Sequence, residues 1–315
     1  LLGTGPKTYE VERSLRFNDG DTAYLNNTFS SVGNRKTFTI SAWIKLGSFD
    51  STTRPIFNRY TANNEAGFLG LYVNTNDHLY FTGWSTIYFQ TNRVFRDPSA
   101  WYHIVFAMDT TQSTNTDRWK LYINGTQETS FASTSYPSQD ADLAINEAVE
   151  HMVGKYSTNL FDGYIAEFNF IDGSALTPSS FGKTNSKTGQ WIPKKYSGSY
   201  GTNGFYLNFS DNSNTTAATL GKDSSGNGHN FTPNNFVTGD SVKDSPTNNF
   251  ATLRLYGTPA ESGAGLTEGN LEFTSGGSGS GSNGNRLPFN TIIPTSGKWY
   301  VEVMPTTTNL IFVGV

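Results

Sequence analysis

The chain has 315 residues, no cysteine and a formal net charge of -4 at pH 7, from 22 Lys and Arg against 26 Asp and Glu. The missing cysteine excludes disulfides, thiolate zinc sites, iron–sulfur clusters and thiol nucleophiles, and the absence of a basic run argues against binding through nucleic-acid phosphates. Charged residues make up 15% and aromatic residues 14%, while Ser, Thr, Asn and Gly supply about 40%. Aromatic side chains suit half-buried strands and small polar residues suit turns, so we expect an all-β fold.

The two ends of the sequence and its apolar runs bear on where the protein works. Residues 1–6 match no signal or transit peptide, and residues 310–315 form an apolar run with strand character that stops without a turn. We therefore expect the natural polypeptide to extend beyond this sequence. Its apolar runs fall far short of the roughly 20 residues that span a bilayer, so we expect a soluble protein.

Period-two alternation of apolar and polar residues is the main structural signal along the chain. Residues 36–46 predict a long strand over a core. One of its faces carries Phe38, Ile40, Ala42, Ile44 and Leu46, and the other carries Thr39, Ser41, Trp43 and Lys45. Residues 101–109 are apolar on both faces, which predicts a central strand in a sheet covered on both sides.

A hairpin and several further strands complete the pattern. Residues 118–123 alternate and run into Asn124-Gly125, a strong hairpin signal, with residues 127–131 predicted as the returning partner. We also predict strands at residues 14–17, 55–59, 68–73, 78–82, 163–171 and 204–209. Strands at this spacing, separated by turn residues, predict an antiparallel β-sandwich or jelly roll.

The pattern divides the chain into three parts. Residues 1–195 are predicted to form the first β-sandwich domain. In residues 196–250 the apolar pattern thins and Asn and Gly accumulate, which indicates a packed but irregular extension or linker. Residues 251–315 contain a Gly- and Ser-rich stretch at 274–285, predicted to be a mobile loop, and then the start of a second β unit at residues 298–304.

Four segments, in this order, resemble the laminin-G-like branch of the concanavalin A-like lectin/glucanase sandwiches. They are SLRF (14–17) with YL (24–25), FTISAWIK (38–45), WYHIV (101–105) with KLYING (120–125), and FDGYIAEF (161–168). The resemblance implies a concanavalin A-like jelly roll. GKWYVEV (297–303) and IFVGV (311–315) resemble the opening strands of a SPRY-type sandwich, which implies an incomplete SPRY-like unit in residues 251–315.

The whole arrangement also resembles a protein type of marine bacteriophages. The intervening segments that add to it are WIPKKY (191–196), YGTNGFYL (200–207) and DSSGNGHN (223–230). The resemblance implies a non-enzymatic tail-fibre or other surface-exposed virion protein. Its expected partners are other virion subunits, copies of itself, as a trimer if it is a fibre, and host-surface glycans. Two alternatives stay open: a secreted or cell-surface bacterial lectin, and a glycoside hydrolase of the same fold.

Hydrolase chemistry needs two carboxylates that converge on one face. Glu167 and Asp172 are five residues apart, which places them on opposite faces of an unbroken strand, and Glu147 with Glu150 has the same odd spacing. We therefore expect no enzyme activity. Because His151 lies next to Glu147 and Glu150, a metal site is an alternative interpretation. A polar loop would contain the same residues without a metal.

A lone histidine and an Asp-rich loop are the remaining candidates for metal chemistry. His103 lies in an apolar strand and is predicted to be a hydrogen-bonded core residue. Asp223, Ser225 and Asn227 follow the spacing of a calcium loop, in which alternating oxygens face the cation. The acid expected eleven residues after Asp223 is replaced by Asn234, and a chain of Asx turns predicts the same residues. Calcium is therefore a candidate ligand, with the turn as its alternative.

Sugar binding needs an exposed aromatic ring with amide and carboxylate side chains nearby, because sugars offer apolar C–H faces and hydroxyl rims. The loop at residues 60–65 and the segment from Asn76 and Asp77 to Trp84 and Tyr88 supply these residue types. Most aromatic residues of so aromatic a chain fill its core. Trp84, Tyr88, Asn76 and Asp77 are the predicted carbohydrate-binding residues.

Overall fold

The computed structural model describes residues 9–256, 265–274 and 287–291, and these form antiparallel strands with four short 3-10 turns. The strands in chain order are β1 Ser14–Phe17, β2 Tyr24–Thr28, β3 Thr37–Leu46, β4 Arg54–Tyr60, β5 Phe68–Val73, β6 His78–Gly83, β7 Ile87–Val94, β8 Tyr102–Asp109, β9 Trp119–Ile123, β10 Thr126–Gln127, β11 Phe131–Thr134, β12 Glu150–Val153, β13 Lys155–Tyr156, β14 Asn159–Leu160, β15 Gly163–Asp172, β16 Gly182–Thr184, β17 Trp191–Pro193, β18 Phe205–Leu207, β19 Thr232–Asn234, β20 Ser241–Val242, β21 Leu253–Tyr256, β22 Gly265–Thr267, β23 Glu272–Thr274 and β24 Leu287–Asn290. The 3-10 turns are Asp19–Asp21, Asn115–Asp117, Pro178–Ser180 and Thr238–Asp240.

Two eight-stranded antiparallel sheets form the two layers of a sandwich. Sheet A has the order β10-β9-β8-β3-β15-β1-β20, with β18 also paired to β15, and sheet B has the order β11-β7-β6-β5-β4-β12-β2-β19. Four two-stranded ribbons complete the described strands. The predicted all-β, antiparallel sandwich is therefore confirmed.

The core lies between the two sheets and follows the predicted alternation. The core-facing phase of β3, from Phe38 to Leu46, is buried in one cluster with apolar residues of sheet B such as Phe57, Leu71 and Phe81. At about 25 cal/mol per Å², burial of such residues is the main force that holds the two layers together. The register Ile44↔Ile165 and Ala42↔Ile104 aligns β3 with both of its neighbours.

The hairpin at Asn124-Gly125 forms as predicted, but its second strand is short. Both turn residues have positive φ, 49° and 80°, as a tight two-residue turn requires. The return strand β10 pairs with β9 for two residues only. Phe131 then crosses to the other layer and pairs with Thr91 of sheet B, so the predicted return over residues 127–131 is wrong beyond residue 127.

The segment after residue 195 is part of the sandwich. Its strands β18 and β20 join sheet A and β19 joins sheet B, so the predicted boundary at residue 195 does not separate two units. The irregular parts of this segment, together with residues 176–193, pack on the outer face of sheet A, where they cover the polar phase of β3 and the second apolar face of β8. Both faces of β8 are therefore buried, as its apolar pattern predicts.

Most of the predicted second β unit, residues 251–315, lies outside the described residues. Residues 275–286, which hold most of the predicted mobile loop, and residues 292–315, which hold the SPRY-like segments, are outside the described residues. Across the described ranges, no helix is long and apolar enough to cross a membrane.

Candidate functional site

The predicted sugar-binding residues lie at two opposite ends of the hairpin β6–β7. Trp84 lies in the turn that joins β6 to β7, while Asn76 and Asp77 lie in the turn that joins β5 to β6. The six residues of β6 separate these turns, which is roughly 20 Å at about 3.4 Å per residue. The structure therefore brings Trp84 and Tyr88 into one neighbourhood and leaves Asn76 and Asp77 outside it.

Trp84 is held on a tight turn and points its ring outward. The backbone N–H of Gly83 donates to the carbonyl of Thr86 at 2.8 Å, and the hydroxyl of Thr82 donates to the same carbonyl at 2.7 Å. Both bonds close the turn around Trp84, whose side chain is nevertheless 45% exposed. An indole with this exposure on a fixed backbone offers a flat apolar surface to a ligand.

Glu65 reaches this turn from the loop between β4 and β5. Its Oε1 accepts hydrogen bonds from the backbone N–H and the hydroxyl of Ser85 and, at 3.2 Å, from the hydroxyl of Thr86. Burial raises the pKa of Glu65, but these hydrogen bonds outweigh it and hold the pKa below its ordinary value. The carboxylate is thus ionised and fixed beside Trp84.

Tyr88 forms the inner wall of this neighbourhood. It is half-buried and packs against the core, with its ring centroid 5.6 Å from that of Phe81. A register shift between β6 and β7 next to Phe81 lets both Tyr88 and Phe89 face inward. Burial and the nearby charge of Glu65 raise the pKa of Tyr88 to about 12, so its hydroxyl stays protonated and can donate.

We call the surface formed by Glu65, Trp84, Ser85 and Thr86 the Trp84 rim. It combines an exposed ring, an ionised carboxylate and two hydroxyls, which is the chemistry that binds a polyol. The signal for Glu65 was the polar loop at residues 60–65, although its pairing with Ser85 depends on which strands are neighbours.

A second aromatic pair was missed by the sequence reasoning. Tyr72 of β5 and Tyr80 of β6 are register partners, and their rings stack at 5.7 Å with an angle of 11°. Both are half-buried on the outer face of sheet B. Their position on the polar phase of two alternating segments was the signal that could have found them.

Asn76 and Asp77 serve their own turn. Asp77 has a positive φ of 63°, and its carboxylate pairs with Arg96 at 2.5 Å. Asn76 is exposed, and its carbonyl accepts from the same arginine at 3.3 Å. A role of these two residues in sugar binding stays a prediction, at a place separate from the Trp84 rim.

The Asp223 loop is closed by hydrogen bonds from the protein itself. Oδ1 of Asp223 accepts from the N–H groups of Tyr206 and Ser225, and Oδ2 accepts from the hydroxyl of Ser225 and the N–H of His229, all at 2.8–2.9 Å. The amide nitrogen of Asn227 donates to two backbone carbonyls. The residues as placed do not fit a calcium ion, because the carboxylate has no free acceptor site and Asn227 turns its NH2 group to other partners.

The carboxylates considered for hydrolysis lie apart. Glu167 sits at a bulge of β15 with a φ of 50° and accepts from the hydroxyls of Tyr9 and Tyr206 at 2.7 and 2.6 Å. Asp172 instead accepts from the backbone of Asn34 and Asn203 on the other face. The two carboxylates thus lie on opposite faces, as predicted, although the bulge breaks the strand that the prediction assumed to be regular.

The carboxylates near His151 also have separate partners. Glu147 pairs with Arg35 at 2.8 Å and with Arg59 at 2.5 Å, whereas Glu150 accepts from an asparagine of β2 at 2.6 Å. His151 is fully buried, with Nε2 accepting from the N–H of Asn146 and Nδ1 facing a backbone carbonyl. Among the described residues, no group of three or more His, Asp or Glu side chains is arranged to hold a metal ion.

His103 is a hydrogen-bonded core residue, as predicted. Its Nδ1 accepts from the indole N–H of Trp191 at 2.9 Å, which leaves the proton on Nε2, 3.0 Å from the hydroxyl oxygen of Ser41. Burial lowers the pKa of His103 to about 3, so the ring is neutral. The hydroxyl of Ser41 therefore accepts a hydrogen bond from His103. An activated serine nucleophile needs the opposite, a histidine nitrogen that accepts the hydroxyl proton.

Three solved proteins are among those to which this chain is similar. The chain shares 15% identity with a heptameric SAP-like pentraxin of Limulus polyphemus, over 59% of this chain and 94% of that chain, at a TM-score of 0.40. It shares 16% identity with a Bacteroides ovatus protein whose name proposes carbohydrate binding, over 73% of this chain and 60% of that one, at 0.44. It shares 23% identity with domain 4 of AbnA, a GH43 extracellular arabinanase of Geobacillus stearothermophilus solved with arabinotriose, over 46% and 65%, at 0.34.

Sequence families give the assignment itself. No curated protein matches the chain. A laminin-G-like family model, described as the concanavalin A-like lectin/glucanases superfamily, matches residues 18–181, which is just over half of the chain. The chain belongs to the laminin-G-like family of the concanavalin A-like lectin/glucanases superfamily.

Proposed function

We propose that this protein is a non-enzymatic, glycan-binding protein of a bacteriophage virion surface, and that the Trp84 rim holds the glycan. One observation carries the binding proposal: the 45% exposed indole of Trp84 lies on a closed turn beside the fixed carboxylate of Glu65. Stacking of the indole on a sugar C–H face and hydrogen bonds from sugar hydroxyls to the carboxylate would act together there.

The choice of binding over hydrolysis follows from the acids at the rim. Glu65 is the one carboxylate among the four residues that define the rim, and its lowered pKa keeps it ionised. Glycoside hydrolysis needs a second carboxyl group, protonated in the ground state, within about 10 Å. Glycan binding therefore needs only the exposed ring, the single carboxylate and the hydroxyls of the Trp84 rim. The superfamily to which the chain belongs is named for both lectins and glucanases.

The virion location rests on the sequence order and composition. A laminin-G-like domain followed by the segments at 191–196, 200–207 and 223–230 resembles phage surface proteins, and a chain without cysteine needs no oxidising compartment to fold. In the same proposal the protein assembles with copies of itself, as a trimer if it is a fibre, and with other virion subunits. A secreted bacterial lectin of the same fold is the alternative.

A glycan array tests the binding proposal. The intact chain, Trp84→Ala and Phe250→Ala are applied to an array of bacterial surface polysaccharides and algal glucans. Phe250 is the matched control because this aromatic residue is also 45% exposed but lies outside the rim. We expect the intact chain and Phe250→Ala to bind the same glycans. Trp84→Ala should lose about tenfold in affinity, because removal of a large aromatic contact typically costs more than about 1 kcal/mol. Equal binding by all three would contradict the proposal.

Mass spectrometry of purified virions, combined with light scattering of the purified chain, tests the location and the assembly. The proposal expects peptides of this protein in the particle and an oligomer in solution. Absence from the virion, together with a monomer in solution, would favour the secreted lectin.

A further inference from the structure

A lysine, an asparagine and an aspartate meet under the cover of sheet A. Lys45, on the outward phase of β3, is 0% exposed. Its Nζ lies 2.9 Å from Oδ2 of Asp244, 2.9 Å from Oδ1 of Asn249 and 2.7 Å from the carbonyl oxygen of Phe250. Because Oδ1 is bonded to Cγ at about 1.2 Å, Nζ lies within about 4 Å of the carboxamide carbon of Asn249.

The three groups are held in place by their surroundings. The indole N–H of Trp101 donates to Oδ1 of Asp244 at 3.1 Å, and the amide nitrogen of Asn249 donates to the carbonyl of Ser99 at 2.7 Å. The second bond turns the carbonyl of Asn249 toward Lys45. Fixed neighbours of this kind react as if at very high concentration, since the entropy of bringing them together has already been lost.

The environment also makes the proton of Lys45 easier to remove. Burial lowers the pKa of Lys45 below its ordinary value, although the charge of Asp244 opposes this shift. A desolvated lysine that can lose its proton is a nucleophile, and Asp244 is the hydrogen-bonded acceptor for that proton.

We propose that Lys45 and Asn249 form an intramolecular isopeptide bond, with Asp244 as the catalytic acid and base. Asp244 removes a proton from the ammonium group, and the Nζ lone pair attacks Cγ of Asn249. Asp244 returns this proton to Nδ2, the Cγ–Nδ2 bond breaks, and Nδ2 leaves as ammonia. The ammonia takes the second proton from Nζ and departs as an ammonium ion. One lysine ammonium and one carboxamide become one secondary amide and one ammonium ion, so no oxidant, reductant or further reactant is needed.

The exposure of the groups suits this reaction. Lys45 is enclosed, which keeps competing water from the nucleophile, whereas Asn249 is exposed, which gives ammonia a way out. The product would join β3 covalently to the end of the segment that covers sheet A. The cover could then no longer detach, even when its hydrogen bonds break.

Intact-mass measurement of the full purified chain tests the bond. We expect the chain to be lighter than its sequence mass by one ammonia, about 17 Da, and proteolysis to yield one branched peptide that contains both Lys45 and Asn249. An unchanged mass after prolonged incubation at pH 8 would overturn the proposal, because the groups would then form only an ion pair.

Variants assign the loss to this site. Asn249→Ala removes the electrophile at an exposed position, and Lys45→Arg keeps the charge but removes the nucleophile; we expect neither chain to lose ammonia. Asn248→Ala is the matched control, since Asn248 is also exposed but its side chain bonds only the carbonyl of Lys243, at 3.5 Å, and it should still lose ammonia.

Cyclisation of an asparagine before a glycine, as at residues 124, 203, 227 and 283, would also release ammonia, so it must be told apart. Such an imide is cleaved by hydroxylamine, whereas an isopeptide bond is not. A mass loss that persists in Lys45→Arg or Asn249→Ala, or that hydroxylamine converts into two fragments, would overturn the proposal. The branched peptide of the natural sequence decides the question even if Lys45→Arg does not fold.

Discussion

The outer face of sheet A and the turn between β6 and β7 at the end of sheet B differ in how the chain uses them. On sheet A the outward phase of β3 is buried under residues 176–252, with Lys45 ion-paired to Asp244 and His103 bonded to Trp191. At the end of sheet B, Trp84 and Glu65 remain exposed on a fixed turn. The outer face of sheet A is thus closed by the protein's own chain, whereas the end of sheet B presents groups that a ligand can reach.

The comparison shows that the polar residues of an alternating strand can either face solvent or be buried under another segment. Thr39, Ser41 and Lys45 alternate with core residues as a solvent-facing phase would, yet each is buried. Thr39 donates to the carbonyl of Ser174 and Lys45 to Asp244, both outside the sheet's long strands, while Ser41 pairs with His103 of the neighbouring strand β8. Polar groups can be buried when partners satisfy them. The closed face is therefore held by specific pairs, and the open rim is free to bind.

The largest effect is expected where the closed face depends on charge. Asp244→Ala leaves Lys45 buried without its carboxylate, and we expect the free energy of unfolding to fall by at least about 3 kcal/mol. The control is Asp117→Ala, which breaks the pair with Lys120, where the two side chains are 49% and 33% exposed; exposed pairs of this kind contribute about 0–1 kcal/mol. Urea unfolding of both variants measures the difference, and similar losses would remove the contrast between the buried pair and the exposed pair.

Trp191→Ala tests how the covering segment is attached. The ring of Trp191 lies against Gly125 and Gly182, where a side chain on either glycine would collide with it, and its N–H satisfies Nδ1 of His103. We expect a loss of about 2–3 kcal/mol from lost packing and an unpaired buried nitrogen. Trp84→Ala, with its exposed ring, should change the stability by less than about 0.5 kcal/mol. If thermal unfolding shows equal losses, the cover does not depend on Trp191.

The buried carboxyl group of Asp162 makes the stability of the folded protein depend on pH. Burial, then the nearby charge of Asp19, raises the pKa of Asp162 from its ordinary 3.8 to about 6, against the opposing charge of Arg54. The folded state therefore favours the protonated acid. Its contribution to stability is full below about pH 3.8 and is lost as the pH rises through about 6.

The variant Asp162→Asn should escape this penalty. We expect it to be more stable than the natural sequence at pH 7.5, by roughly 2 kcal/mol, and to lose that advantage near pH 4. Thermal unfolding at both values of pH measures this, with Asp140→Asn, at an exposed site, as the control. An advantage that does not change with pH would show that Asp162 titrates normally.

The smallest effect concerns the rim. Glu65→Gln keeps the shape but removes the charge, and we expect glycan affinity to fall about tenfold, as for the loss of one charge-assisted hydrogen bond. Glu10→Gln, at an exposed site, is the control. Titration calorimetry with the glycan that binds best on the array measures both, and an unchanged affinity for Glu65→Gln would remove the carboxylate from the site.

The local sequence pattern predicted the β-sandwich better than it predicted the candidate binding site. The strand β3 and the Asn124-Gly125 turn could be predicted from a few consecutive residues, because strand periodicity and turn preferences depend on local sequence. Tyr88 was predicted as a sugar platform but faces inward, because a register shift against Phe81 depends on the neighbouring strand. The pairing of Glu65 with Ser85 and of Trp191 with His103 depends on contacts between distant segments, which periodicity cannot show.

Hydrogen exchange with and without bound glycan tests the central claim most directly, using the intact chain and the glycan that binds best on the array. The account predicts added protection at residues 60–67 and 82–88, with residues 191–250 unchanged. Protection that appears instead over the cover of sheet A would contradict it.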